Sequence, residues 1–379
     1  MIPVMRPWLG EDEAAAAART VVSGWVAQGP RVAAFEQAFA AHVGAANGVA
    51  VSSCTTGLHL LLHVLDIGPG DEVVVPSFSF IATANAVRYT GATPVFADVS
   101  EQTGNLTAET VAPVLTGRTR AVMAVHQCGV PADVVALRAL CEPRGIPVVE
   151  DAACAAGSTY AGRPVGAGAL LAAWSYHPRK LLTTGEGGMV TTDSPQWTER
   201  MRRLREHGMT VSAADRHAAG GVVLEEYAEV GFNYRMTDVQ AAIGLVQLGK
   251  LDAMVARRRE LAARYQTALS KVDGLRCVQD PDYGTTNYQS FWVLLPDDHP
   301  GSRNGVLAAL AGRGISGRRG VMASHLEPAY RDHPHVPLPV TEKLTERCLI
   351  LPLYHQLTED EQDTVVEALT DVLLGDGGR

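Results

Sequence analysis

Lys180 stands inside "SYHPRKLLTTGEGG", Ser175 to Gly188, with a proline two positions before it and glycines at 185, 187 and 188. Glycines clear bulk where a backbone turns tightly or runs close to another surface, so this lysine sits where something flat can approach. In water a lysine amine has a pKa of ~10.4 and is protonated, hence not nucleophilic; partial burial lowers that value and frees the amine. A freed amine forms a Schiff base with a carbonyl. Upstream, "VVED" sets Glu150 and Asp151 at the end of an apolar run, which offers an anion. The competing reading makes Asp151 a helix cap and Lys180 an ordinary surface lysine.

Elements that could bring the two together alternate along the chain. Residues 11–45 read as two helical stretches broken at "QGP". Then "GVAVSS", "DEVVVPS", "TPVFADV", "RAVMAVHQ" and "IPVVEDAA" read as strands. Between them "CTTGLHLLLHVLDIG", "SFIATANAVRYTG" and "ADVVALRALCEPRG" read as helices, the first ending near Gly68. "LLAAW" is an apolar segment before the lysine, and "MVTT" opens a strand after it. Short, continuously apolar strands alternating with helices predict an α/β fold with a mostly parallel sheet covered on both faces. Ligands collect at the carboxyl ends of such strands, where Glu150 and Asp151 fall. Beyond about residue 240 a long helical pattern leads into "SFWVLL", "NGVLAALAGRGI", "LILPLY" and a last helix from Glu359. The expected division is a large domain over residues 1–250 and a smaller C-terminal α/β domain over 251–379.

A lysine amine and a buried carboxylate together suit pyridoxal 5′-phosphate, whose ring nitrogen needs an anion to stay protonated and act as an electron sink. Asp151 has the charge and the place for that role. "SSCTTGLHL" runs from a strand into a helix, and helix-terminal N–H groups form an anion site. Thr55 and Thr56 would add hydroxyls, as would Ser175; plain N-capping is the alternative. In "PSFSFIATANA", Phe80 could stack on a flat ring or simply fill core. A phosphate-binding P-loop is excluded because its lysine follows the glycines, whereas Lys180 precedes them.

Taken in order, "SGWVAQGPRVAAFEQAFA", "VSSCTTGLHL", "PSFSFIATANA", "TPVFADV", "VHQCGVPAD", "VVEDAACAAGS", "SYHPRKLLTTGEGG", "LREHG", "VGFNYRMTDVQAAIG" and "HLEPAY" resemble the DegT/DnrJ/EryC1/StrS family of sugar aminotransferases. The resemblance runs nearly end to end. It implies the fold of type I pyridoxal phosphate enzymes, with a seven-stranded, mostly parallel large-domain sheet. It implies that Lys180 carries the cofactor and then shuttles protons, that Asp151 pairs with the ring nitrogen, and that Phe80 stacks on the ring. Thr55, Thr56 and Ser175 would hold the phosphate. Asn233 in "NYRM" would reach across a homodimer interface to the partner's phosphate. His325 would contact substrate, and Arg318 and Arg319 would meet its phosphate or acidic groups. Two positions depart from the family pattern. Cys154 stands where many members have a glutamine that touches the cofactor's ring hydroxyl, a contact Gln127 could supply instead. Cys54 stands where glycine is frequent. Relatives that act as deoxygenating dehydratases replace the lysine with histidine; Lys180 is retained here, with His177 nearby.

The implied reaction moves an amino group from an amino acid, glutamate first, to a nucleotide-linked keto-sugar, in amino-sugar or natural-product biosynthesis. The alternatives are an aminotransferase on a keto-cyclitol and a pyridoxal phosphate-dependent sugar dehydratase. A regulator that senses the cofactor would need a DNA-binding module, and none is visible. A nicotinamide enzyme is disfavoured because no G-x-G-x-x-G follows the first strand. A net charge of −9 argues against nucleic acid, there being no basic excess to displace counterions. The six cysteines at 54, 128, 141, 154, 277 and 348 follow no metal spacing and read as reduced thiols. No apolar run reaches the ~18 residues of a membrane helix, and "MIPVMRPWLGEDE" is no signal peptide. The expectation is a soluble, cytoplasmic, metal-free homodimer.

Overall fold

The computed structural model describes residues 1–212, 216 and 222–375. Fourteen strands are found among them: β1 Asn47–Val51, β2 Glu72–Pro76, β3 Thr93–Ala97, β4 Thr119–Val125, β5 Val148–Asp151, β6 Thr159–Tyr160, β7 Arg163–Pro164, β8 Ala172–Ser175, β9 Gly188–Thr192, β10 Arg276–Cys277, β11 Gly284–Thr285, β12 Phe291–Leu294, β13 Arg318–Arg319 and β14 Cys348–Leu351. Seven build one sheet in the order β1-β9-β8-β5-β4-β2-β3. Only β9 runs against the rest, pairing antiparallel with both β1 and β8. The expected seven-stranded, mostly parallel sheet is therefore present, and the carboxyl ends of six strands share one edge with the start of β9.

The continuous apolar runs are explained by burial on both faces. Successive residues of one strand feed opposite cores: Val73 and Val75 pack with Met123 and Val149, whereas Val74 packs with Val122 and Val148. The second of these cores runs on into Phe291, Val293 and Leu351 of the C-terminal sheet, whose order is β10-β12-β14-β13. A third core gathers Phe35, Phe39, Trp174 and Tyr176 beneath helix Pro30–His42. Residues 1–8 pack against the C-terminal part of the chain as well as the long helix Asp238–Leu269. Ile2 bridges Ile315, Leu353 donates to the Val4 carbonyl at 3.1 Å, and Trp8 stacks on His355 at 3.6 Å.

Two local expectations are corrected. The helix from Cys54 ends at Val64 rather than near Gly68, because Asp66 turns into the left-handed region (φ 55°) and Ile67 closes back on the Leu62 carbonyl. The long helix Asp238–Leu269 does contain a stretch that, by length and composition, is apolar enough to cross a bilayer. Counting consecutive apolar residues misses it because Gln240, Gly244 and Gln247 interrupt the run. In the fold this helix packs on helices Glu11–Val22 and Pro30–His42. Gln247 is buried there, donating to the Trp8 carbonyl at 2.7 Å and to Glu13 at 2.8 Å. Position 250 falls inside it without a break.

Candidate active site

A cavity of about 310 Å³ opens at the shared carboxyl edge of the large sheet. Its walls come from the turns after β1 (Ser53, Cys54, Thr55), β2 (Ser79, Phe80), β4 (Gln127), β5 (Asp151, Cys154) and β8 (Ser175, His177, Arg179, Lys180). Val4, Met5, Ile350, Leu351 and Leu353 close the opposite side, so the N-terminal segment and the C-terminal sheet supply an apolar wall.

Asp151 is 4% exposed. Thr83 Oγ1 donates to its Oδ2 at 2.9 Å, and the Ala153 amide donates to Oδ1 at 3.2 Å. Burial pushes this carboxyl above its ordinary range; the two hydrogen bonds, Lys180 and His126 pull the other way without prevailing. A buried carboxylate short of positive charge is what a cationic ring nitrogen would satisfy. Thr83 lies three residues past Phe80, in a motif already quoted for its aromatic, and helical spacing from Phe80 is the signal that could have found it.

Lys180 donates through Nζ to the Cys154 sulfur at 3.0 Å. Burial pushes the amine down, but the Cys154 sulfur, Cys54 and Asp151 outweigh it, and the amine lies above its ordinary range. This corrects the expectation that burial alone would free it. Sequence spacing shows burial but not the sulfurs and carboxyl that surround the amine, which are assembled from separate parts of the chain.

The start of helix Cys54–Val64 brings open backbone amides to the cavity. Ser53 caps it, its hydroxyl accepting from the Thr56 amide at 3.2 Å while the Thr56 hydroxyl accepts from the Ser53 amide at 3.1 Å. The Thr56 side chain thus sits in a capping box and outside the cavity lining, whereas Thr55 is part of the lining. The amides of Cys54 and Thr55 occupy the first two helical positions, where no intrahelical acceptor exists. Gly188 explains one of the clustered glycines: a Cβ there would lie 2.5 Å from the Ser53 carbonyl carbon and 2.6 Å from the Cys54 nitrogen. It admits the helix start against β9. Gly185 takes φ 84°, a left-handed turn after the lysine.

Phe80 is 63% exposed although large and apolar, and it lines the cavity. It does not fill core. Gln127 also lines the cavity and donates through Nε2 to the Phe78 carbonyl. Arg318 lines the mouth beside Arg179; burial, then Arg179, pushes its guanidinium down, and neither arginine forms an ion pair among the described residues. Arg319 instead bonds Glu327 at 3.1 Å, outside the lining. His325 is 2% exposed and lies behind the wall, its Nδ1 2.7 Å from Ser77 Oγ. Asn233 is exposed and outside the cavity lining, its backbone bridged to Glu206 and its neighbour Tyr234 accepting from the Ser52 amide at 2.7 Å. All six cysteines are free, and no metal-holding group of His, Cys, Asp and Glu occurs among the described residues.

The donor set fits pyridoxal phosphate: an amine, a buried carboxylate short of a cation, an uncovered aromatic face and a helix start with open amides. Comparisons with known proteins agree. The DegT/DnrJ/EryC1/StrS aminotransferase family profile matches residues 7–370. The aminotransferase TlmJ from Streptoalloteichus hindustanus is 40% identical over 99% of both chains, with a TM-score of 0.91. S. venezuelae DesV, solved in complex with a ketimine intermediate, is 34% identical over 98% of both chains, with a TM-score of 0.90. Spr1654 from Streptococcus pneumoniae, assigned as a sugar aminotransferase and solved in its PMP form, is 26% identical over 99% of both chains, with a TM-score of 0.93. A match over nearly the whole length, on a cavity with this chemistry, settles the kinship: the chain belongs to the DegT/DnrJ/EryC1/StrS aminotransferase family and is a pyridoxal 5′-phosphate-dependent enzyme.

Proposed function

We propose that this enzyme takes an amino group from an amino acid, glutamate first, and delivers it to a keto-sugar carried on a nucleotide. The observation that supports it most is the meeting of Lys180, Asp151 and Phe80 with the helix start at Cys54 in one cavity, which Arg179 and Arg318 also line without forming an ion pair among the described residues.

When bound, the cofactor supplies an electron sink for charge that develops at the substrate carbon. In this reading Asp151 holds the ring's cationic nitrogen, and Phe80 covers one face. The Cys54 and Thr55 amides, with the Thr55 and Ser175 hydroxyls, hold the phosphate. Gln127, in place of Cys154, would meet the ring hydroxyl, and Lys180 would move the proton at the donor's α-carbon. The apolar wall of Val4, Met5, Leu351 and Leu353 excludes water, which strengthens each of these electrostatic contacts. Arg318 meets the acidic part of the substrate. Asn233, outside its own chain's cavity lining, serves the phosphate of a partner subunit, so the working unit is a homodimer.

The test loads the protein with pyridoxal phosphate, adds glutamate and follows the visible spectrum of the cofactor. Nucleotide-linked keto-sugars and keto-cyclitols are then offered in turn. The proposal expects a nucleotide-linked ketone to restore the starting spectrum with formation of an amino-sugar. Restoration by cyclitols alone, or release of a deoxy-sugar with ammonia, would replace it with the corresponding alternative.

A further inference from the structure

Lys180 is gripped by a residue of the C-terminal part of the chain that also reaches the cavity lining. Gln289 accepts through Oε1 from the Leu181 amide at 3.0 Å and donates through Nε2 to the Arg179 carbonyl at 2.6 Å. One side chain, 8% exposed, therefore fixes the peptide groups on both sides of the lysine. Its own backbone is held in turn. The Gln289 amide donates to Asn287 Oδ1 at 2.8 Å, and Arg258 of helix Asp238–Leu269 donates to the carbonyls of Tyr288 at 2.9 Å and Gln289 at 3.5 Å.

Arg258 is 3% exposed and forms no ion pair among the described residues; burial pushes its guanidinium down to about 10. Burying a charge without a counter-ion is costly, and main-chain oxygens offset that only where they are held in place. Tyr288, between the two gripped positions, takes φ 49°, a strained region for a residue with a Cβ. Asn287 extends the same device to the other half of the site, donating through Nδ2 to the carbonyls of Cys154 and Ala156, each at 2.8 Å. A lone buried arginine and a strained tyrosine thus converge on one side-chain amide, and that amide holds the lysine.

We infer that Gln289, backed by Arg258, is a positioning residue that sets where the Lys180 amine stands relative to Cys154 and Asp151. The inference rests on Lys180 being the reacting amine. It places control of the site's geometry in a segment about a hundred residues downstream, which contributes no reacting group.

Two variants test it. Gln289→Leu removes both contacts; Gln289→Glu keeps an acceptor for Leu181 but sets a carboxylate against the Arg179 carbonyl. Reductive methylation of Lys180 in the cofactor-free protein, read by peptide mass across pH, reports the amine directly. In the loaded enzyme, kcat and KM are measured for each substrate. The expected result is a displaced methylation profile, with kcat lower by about 10- to 100-fold, the range that follows a misplacement of about 1 Å, and KM changed by no more than about threefold. Gln289→Glu falls between Gln289→Leu and the wild type. An unmoved profile with unchanged kcat, whatever happens to the melting temperature, overturns the inference. If Gln289→Leu does not fold, the same comparison on Gln289→Glu decides. Failure of the Lys180 reading is seen separately, as borohydride fixing the cofactor to another amine in the wild type.

Discussion

The Lys180 amine lies 3.0 Å from the sulfur of Cys154, a residue that follows Asp151 by three positions in the chain. That contact opposes the burial that would otherwise push the amine down. A lysine raised in the folded state lends stability at pH values below its unfolded pKa and loses it as pH climbs through the folded one. Cys154→Ala should therefore lower the pH at which Lys180 becomes nucleophilic and should cost the cofactor-free protein some stability at neutral pH. The check is the pH dependence of pyridoxal phosphate capture, read as visible absorbance. A profile identical to the wild type would mean that the sulfur does not govern the amine.

Asp151 presents the opposite balance. Its carboxyl is raised by burial, so in the cofactor-free protein its ionisation works against the fold. A raised carboxyl favours folding below its ordinary value and loses that contribution as pH rises through the folded pKa. Asp151→Asn should raise the melting temperature of the cofactor-free protein at pH 7–8, and the gain should vanish below the ordinary value of 3.8. The same change should cut turnover by about 10²- to 10³-fold, as loss of a preorganised electrostatic partner does. Calorimetry across pH and steady-state rates test the two halves independently. Full turnover in Asp151→Asn would remove it from the mechanism.

Phe80 buries little of itself in the chain, so truncation should hardly touch the fold. Stacking on a ring is worth about 0.5–1.5 kcal/mol, or roughly two- to tenfold in Kd. Phe80→Ala is expected to weaken pyridoxal phosphate by that factor with an unchanged melting temperature. Unchanged affinity would show that the aromatic face meets nothing.

Arg318 and Arg319 are adjacent in sequence and differ in what they face. The first lines the cavity without an acid partner, and the second is paired with Glu327. A hydrogen bond to a charged group contributes about 1.5–3 kcal/mol, so Arg318→Gln should raise KM for the anionic ketone by roughly tenfold or more. Arg319→Gln should leave KM nearly unchanged. Equal effects from both would mean that the pair acts only as a diffuse field, and added salt would then erase them.

The sheet and the chemistry were legible because each rests on local pattern. Val73 to Val75 announce a strand buried on both faces, and a lysine among glycines announces a cleared approach. The reversal of β9 was not legible, since a continuous apolar run reads the same in either direction. Nor could the sequence separate Thr55 from Thr56, because either could line an anion site until the capping box claims the second hydroxyl. Gln289, Asn287 and Arg258 were passed over for a different reason. Their partners lie far away in sequence, Gln289 and Leu181 being 108 positions apart, and no periodicity records such a contact. The raised amine at Lys180 belongs with them, since it depends on groups that only the folded chain assembles.

Asn233 is exposed and outside the lining of its own chain's cavity, which gives the proposed homodimer a decisive test. Lys180→Ala and Asn233→Ala should each abolish or sharply lower activity alone. If Asn233 serves the partner's site, a mixed dimer of the two variants holds one site with both residues intact and one with neither. Random exchange makes half the dimers mixed, so a mixture should recover about one quarter of wild-type activity. If Asn233 acts within its own chain, every site in every dimer lacks one residue, and mixing recovers nothing. Subunit exchange followed by rate measurement separates these outcomes, and absence of recovery in demonstrably mixed dimers would confine Asn233 to its own subunit.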